Sequence, residues 1–160
     1  MLEPTASRVP ALCPHGARAG TGGAPCDRML MPSVSRYMTR EPYSIGPTAS
    51  LAQAKDMMTR HDIRHIPVVE NGKLLGVIGS GDVRVIEAVP GISLDHVELA
   101  QVMSPARYVW GETPLDEVAT VMSDNKAECV VVMGGHGVQG IFTAVDAMRA
   151  LADLLAKATA

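Results

Sequence analysis

The sequence has few aromatic residues and few cysteines, and it lacks any long apolar run. Phe, Trp and Tyr together make up 3% of the chain, so the core must be built from aliphatic side chains and methionine. Three cysteines, an odd and sparse set, argue against a disulfide framework and favour a reducing cytoplasm. No apolar run is long enough to cross a bilayer, so we expect no membrane partner.

The sequence also lacks an excess of basic residues. Its net charge is −3, and charged residues make up 19% of the chain, which is ordinary for a packed globular protein. Proteins that bind nucleic acids usually carry a basic excess, so nucleic acid is not an expected partner.

Residues 1–33 lack hydrophobic periodicity and the apolar core of a secretory signal, and we expect them to form a flexible N-terminal tail. The tail contains Cys13, His15 and Cys26, which could bind a metal or act as redox thiols. A metal site needs three or four ligands, usually in close pairs, so a plain tail is favoured.

Motifs of common enzymes are missing as well. The chain has no Ser-His-Asp elbow, Walker loop, paired CxxC or His-x-x-x-His spacing. Cys129 begins an apolar strand, a position more typical of a buried, inert thiol than of a nucleophile. An enzyme is therefore the least favoured class, and we expect no required cofactor.

The most informative feature is an internal repeat. Residues 76–83 read GVIGSGDV and residues 140–147 read GIFTAVDA, so Gly76 matches Gly140 and Asp82 matches Asp146. Upstream, Met38-Thr39 matches Met103-Ser104. We therefore divide the chain into repeat 1 (residues 34–90) and repeat 2 (residues 98–158).

Each repeat has the pattern of a β-α-β-β-α unit. In repeat 1, residues 41–45 are extended, Ser50 begins a helix that ends near His61, and Asn71-Gly72 favours a two-residue hairpin turn. In repeat 2, residues 107–110 form the first strand and Thr113-Pro114 opens the helix, with Thr as the cap. A hairpin over residues 128–143 and a helix over residues 145–158 complete the unit.

Neither unit is large enough to bury both faces of its own sheet. The predicted fold is α/β (α+β), with two β-α-β-β-α repeats packed about a pseudo-twofold axis. Gly76 and Gly140 are expected to permit a close backbone approach or a tight bend.

We call residues 76–83 corner 1 and residues 140–147 corner 2, because each joins a strand to a helix. Thr143 and Asp146 have the spacing of a helix N-terminal capping box. The same corner exposes free N–H groups at which an anion or a ribose can bind. Local sequence alone leaves both interpretations open.

These features resemble a tandem pair of CBS domains, a Bateman module. The resemblance rests on Met-Thr/Ser after a short helix, on IRHIPVVENGKLLGVI at residues 63–78 and on the Gly-x-x-Thr-x-x-Asp corner at residues 140–146. It covers roughly residues 34–157. It implies a regulatory, non-catalytic module that binds AMP, ADP, ATP or S-adenosylmethionine between the repeats and commonly forms homodimers.

The resemblance also implies where a ligand would bind. Asp82, Asp146 and Thr143 would contact the ribose, and Gly79 replaces the hydroxyl residue of the family in corner 1. An apolar slot for adenine is expected at Pro42, Tyr43 and Val77 in repeat 1, and at Ala106, Arg107 and Ile141 in repeat 2, although both Tyr43 and Tyr108 could be packing residues.

Basic residues for a phosphate differ between the repeats. Arg64 and His65 precede the Ile-Pro-Val-Val strand, where Glu128 and Cys129 stand in repeat 2. The first site is therefore expected to hold phosphate well and ribose poorly, and the second the reverse, unless Arg64 serves a ligand anchored at Asp146. Alternatively, Arg64 and His65 are solvent-exposed residues at the start of the strand and bind no ligand.

Three functions are compatible with these patterns. The favoured one is a cytoplasmic sensor that binds an adenine nucleotide or S-adenosylmethionine as its regulatory ligand and passes the change to its own homodimer or to a regulated partner protein. The alternative is a ligand-free structural dimerisation module, indicated by Gly79 and Glu128. A remote third is a redox function of the tail thiols. The helices at residues 51–61 and 115–124 are the expected dimer contact.

Overall fold

A computed structural model describes residues 7–8 and 31–158. Most of the predicted tail, including Cys13, His15 and Cys26, lies outside the described residues. Residues 7–8 form a two-residue strand, so one short part of the tail segment is paired with the rest of the chain.

The elements follow the predicted order of two repeats. They are β1 (Ser7–Arg8), β2 (Thr39–Arg40), α1 (Leu51–His61), β3 (His65–Glu70), β4 (Lys73–Gly79), α2 (Ser80–Glu87), α3 (Leu99–Val102), β5 (Arg107–Trp110), α4 (Leu115–Asp124), β6 (Cys129–Gly134), β7 (Gly137–Thr143) and α5 (Ala144–Ala158). Two 3-10 turns, Val34–Arg36 and Leu94–His96, precede β2 and α3.

The turns of repeat 1 form as the sequence predicts. Ser50 caps α1 in a complete capping box with Gln53, and α1 ends at Asp62, whose φ of 51° is left-handed. Asn71 and Gly72 both adopt positive φ, 49° and 78°, which closes the β3–β4 hairpin with a two-residue turn.

The start of α4 differs from the prediction. Pro114, not Thr113, is the N-cap residue, and it has no side-chain cap. The Thr113 hydroxyl instead accepts a hydrogen bond from the Trp110 N–H, 3.2 Å away, so it closes the turn after β5 rather than the first turn of α4.

The strand expected at residues 41–45 is reduced to one paired residue. Ile45 donates its N–H to the Pro67 carbonyl and accepts from the Val69 N–H. Glu41 has a φ of 47° and Pro42 has no N–H to donate, so the chain cannot pair continuously there.

Each repeat gives its leading segment to the sheet of the other repeat. β2 of repeat 1 pairs antiparallel with β7 of repeat 2, and Ser104 of repeat 2 bridges Val77 of repeat 1. The larger sheet has the order β1-β5-β6-β7-β2, and β3 and β4 form the smaller sheet. The two exchanges are reciprocal, as a pseudo-twofold axis requires, which confirms the predicted packing of the repeats.

Glycine permits both exchanges. A Cβ at Gly140 would lie 2.5 Å from the Met38 sulfur and 2.9 Å from the Thr39 carbonyl oxygen, and one at Gly76 would lie 2.8 Å from the Ser104 carbonyl oxygen. The two matched glycines of the repeat are therefore the places where the backbone of the other repeat passes closest, as the sequence predicts.

Three apolar clusters form the core. One lies between the larger sheet, α4 and α5 and contains Phe142, and one lies between the smaller sheet, α1 and α2. The third, built on Leu74, Ala106 and Val131, lies between the repeats. The core is aliphatic apart from Phe142, as the low aromatic content predicts.

In the part of the chain that the structure describes, none of the helices combines the length and the apolar character that a membrane span needs.

The glycine contacts give a first prediction. Gly140→Ala should lower the free energy of unfolding by about 1–3 kcal/mol, because the methyl group forces Met38 and the β2 backbone away. Urea unfolding measures the change. Gly135→Ala is the control, because no atom lies within 4 Å of its Cβ position. Equal stability of the two variants would contradict the close approach.

Candidate functional site

Corner 2 is a hydrogen-bonded turn at the start of α5. The Thr143 N–H and hydroxyl both donate to Oδ2 of Asp146, at 3.0 and 2.8 Å, and the Thr143 hydroxyl accepts from the Asp146 N–H at 3.4 Å. These bonds are those of the capping box that the sequence predicts. Asp146 is 5% exposed and is the one charged or polar side chain among the described residues that belongs to the buried class.

The second carboxylate oxygen of Asp146 faces a cation. Arg149 donates from Nη1 to Oδ1 of Asp146 at 3.4 Å, a long bond. The Arg149 side chain is 68% exposed, whereas that of Asp146 is 6% exposed. Oδ1 therefore has one weak and solvent-accessible partner, which another hydrogen-bond donor could replace.

Corner 1 has the same backbone bond without the hydroxyl. The Gly79 N–H donates to Oδ2 of Asp82 at 2.8 Å, and Asp82 is half-buried. Because residue 79 is glycine, no side chain occupies the position of the Thr143 hydroxyl. The two corners are therefore alike in backbone and different in chemistry.

A polar contact crosses between the repeats beside corner 1. Nε2 of His65 lies 3.1 Å from Oε2 of Glu128. The His65 ring also borders Gly79, because a Cβ there would lie 3.5 Å from Cδ2 of His65. The carboxylate of Glu128 thus faces corner 1, although its sequence position belongs to repeat 2. This corrects the expectation that the Glu128 charge acts on the second site.

Cys129 occupies the position in repeat 2 that His65 occupies in repeat 1. Burial raises the pKa of the Cys129 thiol to about 12, and the charges of Glu128 and Asp82 add to the increase. A thiol with this pKa is protonated at neutral pH and is not a nucleophile. The predicted burial of the Cys129 thiol is confirmed.

Arg64 and Glu128 stand in equivalent places, one residue before β3 and β6. The Arg64 carbonyl accepts from the Ser80 N–H at 2.8 Å, and the Glu128 carbonyl accepts from the Ala144 N–H at 3.0 Å. The Arg64 side chain is exposed, and within residues 31–158 it has no ion-pair or hydrogen-bond partner.

The predicted adenine residues of repeat 1 lie in different surroundings. Val77 is half-buried beside the cluster between the repeats. Tyr43 is 51% exposed and stacks on His61, with ring centroids 3.8 Å apart. Pro42 is half-buried. Tyr43 therefore packs on the end of α1, and a role in binding adenine stays a prediction.

Of the three equivalents in repeat 2, Arg107 and Ile141 lie in strands and Ala106 lies directly before β5. Ala106 has no exposed surface and packs with Leu74 and Val131. Arg107 is half-buried in β5, and Ile141 is 6% exposed opposite Thr39. Ala106 can meet a ligand only if the packing between the repeats opens, so this contact also stays a prediction.

An open groove lies on the outer side of α1. Its volume is about 410 Å³, and its lining residues are Ile45, Ala49, Gln53, Asp56, Met57, Arg60 and His61. It contains neither corner.

The described residues hold no group of three or more His, Cys, Asp or Glu side chains arranged to bind a metal ion.

Comparison with known proteins identifies the architecture. The family model described as CBS domain matches residues 34–87 and again residues 99–153. The chain belongs to the CBS-domain family. The resemblance inferred from the Met-Thr/Ser segments, the hairpins and the corners is therefore confirmed, and so is the fold.

Several solved structures are similar to this CBS pair. A proposed acetoin utilization protein (AcuB) from Vibrio cholerae is 32% identical, has a TM-score of 0.69 and aligns over 79% of this chain and 94% of its own. The CBS pair of MJ0100, solved with 5-methylthioadenosine and S-adenosyl-L-methionine, is 25% identical, with a TM-score of 0.69 over 77% of this chain and 98% of its own. CBSX2, solved with AMP, is 19% identical with a TM-score of 0.66 and shows the fold alone.

Among curated proteins, the zinc metalloprotease MJ0392 of Methanocaldococcus jannaschii is 32% identical over 117 residues, which is 73% of this chain and 31% of that protein. The L-aspartate semialdehyde sulfurtransferase of the same organism is 28% identical over 72% of this chain and 22% of its own length. The chain thus spans about a third or less of these relatives, so the match is to one region of each enzyme.

The sequence did not reveal two contacts of the site. The contact between His65 and Glu128 joins positions that are 63 residues apart, and Arg149 pairs with Asp146 along one helix. The spacing of three residues could have revealed the second pair. The contact between His65 and Glu128 depends on how the repeats pack. The one feature of the sequence that points to it is the repeat offset, which matches residue 65 to residue 129.

Burial of Cys129 gives the second prediction. In a variant whose Cys13 and Cys26 are replaced by serine, iodoacetamide at pH 8 should modify Cys129 at least about a hundredfold more slowly in the folded than in the denatured chain. The raised pKa should leave the free energy of unfolding unaffected below about pH 9 and lower it between pH 9 and 12, because only the unfolded thiol ionises there. Rapid labelling of the folded chain would contradict the assignment.

Proposed function

We propose that this CBS pair is a regulatory, non-catalytic module that binds an adenosine-containing ligand at corner 2. The observation that carries the proposal is the buried carboxylate of Asp146, held by Thr143 at a strand-to-helix turn. The similarity to the CBS pair of MJ0100, which was solved with two adenosine-containing ligands, supports the ligand class.

The ribose would bind at the free side of the Asp146 carboxylate. Oδ2 is already used by Thr143, and Oδ1 has only the 3.4 Å contact with the exposed Arg149. A ribose hydroxyl donating to Oδ1 would displace this weak contact and form a charge-assisted hydrogen bond.

A phosphate would be met by Arg64 from the other repeat. Glu128 reaches across to His65, whose ring borders Gly79 at corner 1, and Arg64 is the equivalent of Glu128 under the pseudo-twofold relation. By the same relation, the Arg64 side chain would reach toward Cys129 and Thr143 at corner 2. A guanidinium group binds phosphate oxygens in a forked arrangement.

The charges around corner 2 favour an anionic ligand. Arg64 is exposed and without a partner within residues 31–158, and Arg149 is 68% exposed. Two guanidinium groups attract a phosphate and repel the sulfonium of S-adenosylmethionine. AMP, ADP or ATP is therefore the proposed ligand, and the sparse cysteines favour a cytoplasmic module.

Regulation would follow because the ligand binds at the boundary between the two repeats. A ligand held by Asp146 of repeat 2 and Arg64 of repeat 1 binds most tightly to one relative position of the repeats. It therefore shifts the population toward that position, which a partner protein can detect.

Calorimetric titration with AMP tests the proposal. The unmodified chain should bind AMP more tightly than S-adenosylmethionine, and Asp146→Asn should weaken AMP binding about ten- to hundredfold, because the hydrogen bonds to the carboxylate are lost. Asp124→Asn, at an exposed position on α4, is the matched control. Unchanged binding by the Asp146 variant would place the ligand elsewhere.

The alternative function makes the opposite prediction. If the module is a ligand-free structural dimer, its melting temperature should not depend on added AMP, because only a ligand that binds the native state raises stability. A rise of several degrees, lost in the Asp146→Asn variant, would exclude this alternative.

We infer that the homodimer forms through α5 and not through α1 and α4. Within residues 31–158, α1 and α4 expose no large hydrophobic side chain. Along α5, four large apolar side chains are about half exposed or more: Val145 at 56%, Met148 at 64%, Leu151 at 49% and Leu155 at 58%. Their spacing places them on one stripe of the helix.

The charges of α5 fit a second copy of the same helix. In an antiparallel pair centred on Leu151, Arg149 of one chain faces Asp153 of the second copy, and the reverse pair forms by symmetry. Both residues are exposed and lie on the same flank of the apolar stripe. This charge complementarity favours a second copy of the chain over other partners for the apolar stripe of α5.

Sedimentation measures this contact. Met148→Glu and, separately, Asp153→Arg should each weaken dimerisation at least about tenfold, the first by placing charge in the stripe and the second by opposing like charges. Val85→Glu is the control, because Val85 is 67% exposed on α2. Dimers that resist both changes, or an unmodified chain that is monomeric at every concentration, would contradict the α5 contact.

A further inference from the structure

We propose that corner 1 is closed to nucleotides and that Gly79 and Glu128 close it, so that each chain binds one ligand. This inference rests on the proposed function, because it concerns the second of two related corners. It rests on a comparison of the two corners of the same chain, because corner 2 has groups that corner 1 lacks.

The first difference is the hydroxyl group. At corner 2 the Thr143 hydroxyl donates to Asp146 at 2.8 Å and fixes the carboxylate. At corner 1 the Gly79 backbone N–H is the single described donor to Asp82, whose side chain is less buried than that of Asp146. The carboxylate of corner 1 is therefore less fixed and better hydrated, which weakens its bond to a ribose.

The second difference is the side chain beside the corner. The His65 ring lies against Gly79, at 3.5 and 3.7 Å from the position of a Cβ. Its contact with Glu128 holds the ring there, and 14% of the His65 side chain is exposed. Cys129, the equivalent residue at corner 2, is smaller and buried in its strand. The imidazole thus places a larger side chain beside corner 1 than Cys129 places beside corner 2.

The third difference is charge. Glu128 contacts the His65 ring at 3.1 Å, and a Cβ at Gly79 would lie 3.3 Å from Oδ2 of Asp82 and 3.5 Å from the same ring, so both carboxylates lie beside His65 at corner 1. A phosphate entering there would meet two negative groups and the one imidazole that Glu128 already contacts. At corner 2 the residue equivalent to Glu128 is Arg64, so the sign of the charge is reversed.

These differences can be removed by two substitutions. Gly79→Thr supplies the hydroxyl: its Cβ would lie 3.3 Å from Oδ2 of Asp82, and the Thr143–Asp146 pair provides the pattern for this contact. Glu128→Arg releases His65 and supplies the cation that Arg64 offers at corner 2. Neither residue takes part in the proposed site at corner 2 through its side chain.

The experiment is the stoichiometry of AMP binding by calorimetry. The unmodified chain should bind one AMP, and the Gly79→Thr/Glu128→Arg variant should bind two. Adding Asp146→Asn should remove the tight site from the unmodified chain and leave one AMP on the double variant. Because the double variant keeps the Thr143 and Asp146 side chains of corner 2, AMP binding there reports that this variant is folded.

Each other outcome is decisive. Two AMP molecules bound by the unmodified chain would overturn the closure of corner 1 and leave the proposed function intact. One AMP bound by the double variant would show that Gly79 and Glu128 do not close the corner. No AMP bound by any folded variant would refute the proposed function and, with it, this inference.

Discussion

The close passage of one repeat's backbone over a glycine of the other determines how the two halves meet. Met38 and Thr39 cross Gly140, and Ser104 crosses Gly76. Each crossing pairs a leading segment with the last strand of the opposite hairpin: β2 of repeat 1 joins the larger sheet, and Ser104 of repeat 2 bridges the smaller one. The strand-to-helix corners follow directly after these strands, so the same crossings bring both corners to the boundary between the repeats.

Much of this architecture could be predicted because local chemistry decides it. Ser50, Asn71-Gly72 and the matched glycines act through caps, positive φ and lack of a Cβ, which sequence reports directly. The site was harder to predict. Glu128 faces corner 1 because of how the repeats pack, and Ala106 is buried for the same reason. Tertiary contacts between residues distant in sequence have no local signal.

The two corners show how a structural cap and a binding group can share one carboxylate. At corner 2, Asp146 uses Oδ2 to cap α5 and keeps Oδ1 in weak contact with Arg149. At corner 1, Asp82 retains the backbone part of the cap, but His65 and Glu128 stand beside it. The repeated fold is thus preserved on both sides, whereas the side chains beside the two carboxylates differ.

A crystal structure of the chain soaked with AMP tests the central claim most directly. The account predicts one AMP per chain, with a ribose hydroxyl within hydrogen-bond distance of Asp146 and the phosphate beside Arg64. AMP bound instead beside Asp82, or in the groove along α1 next to His61, would contradict it.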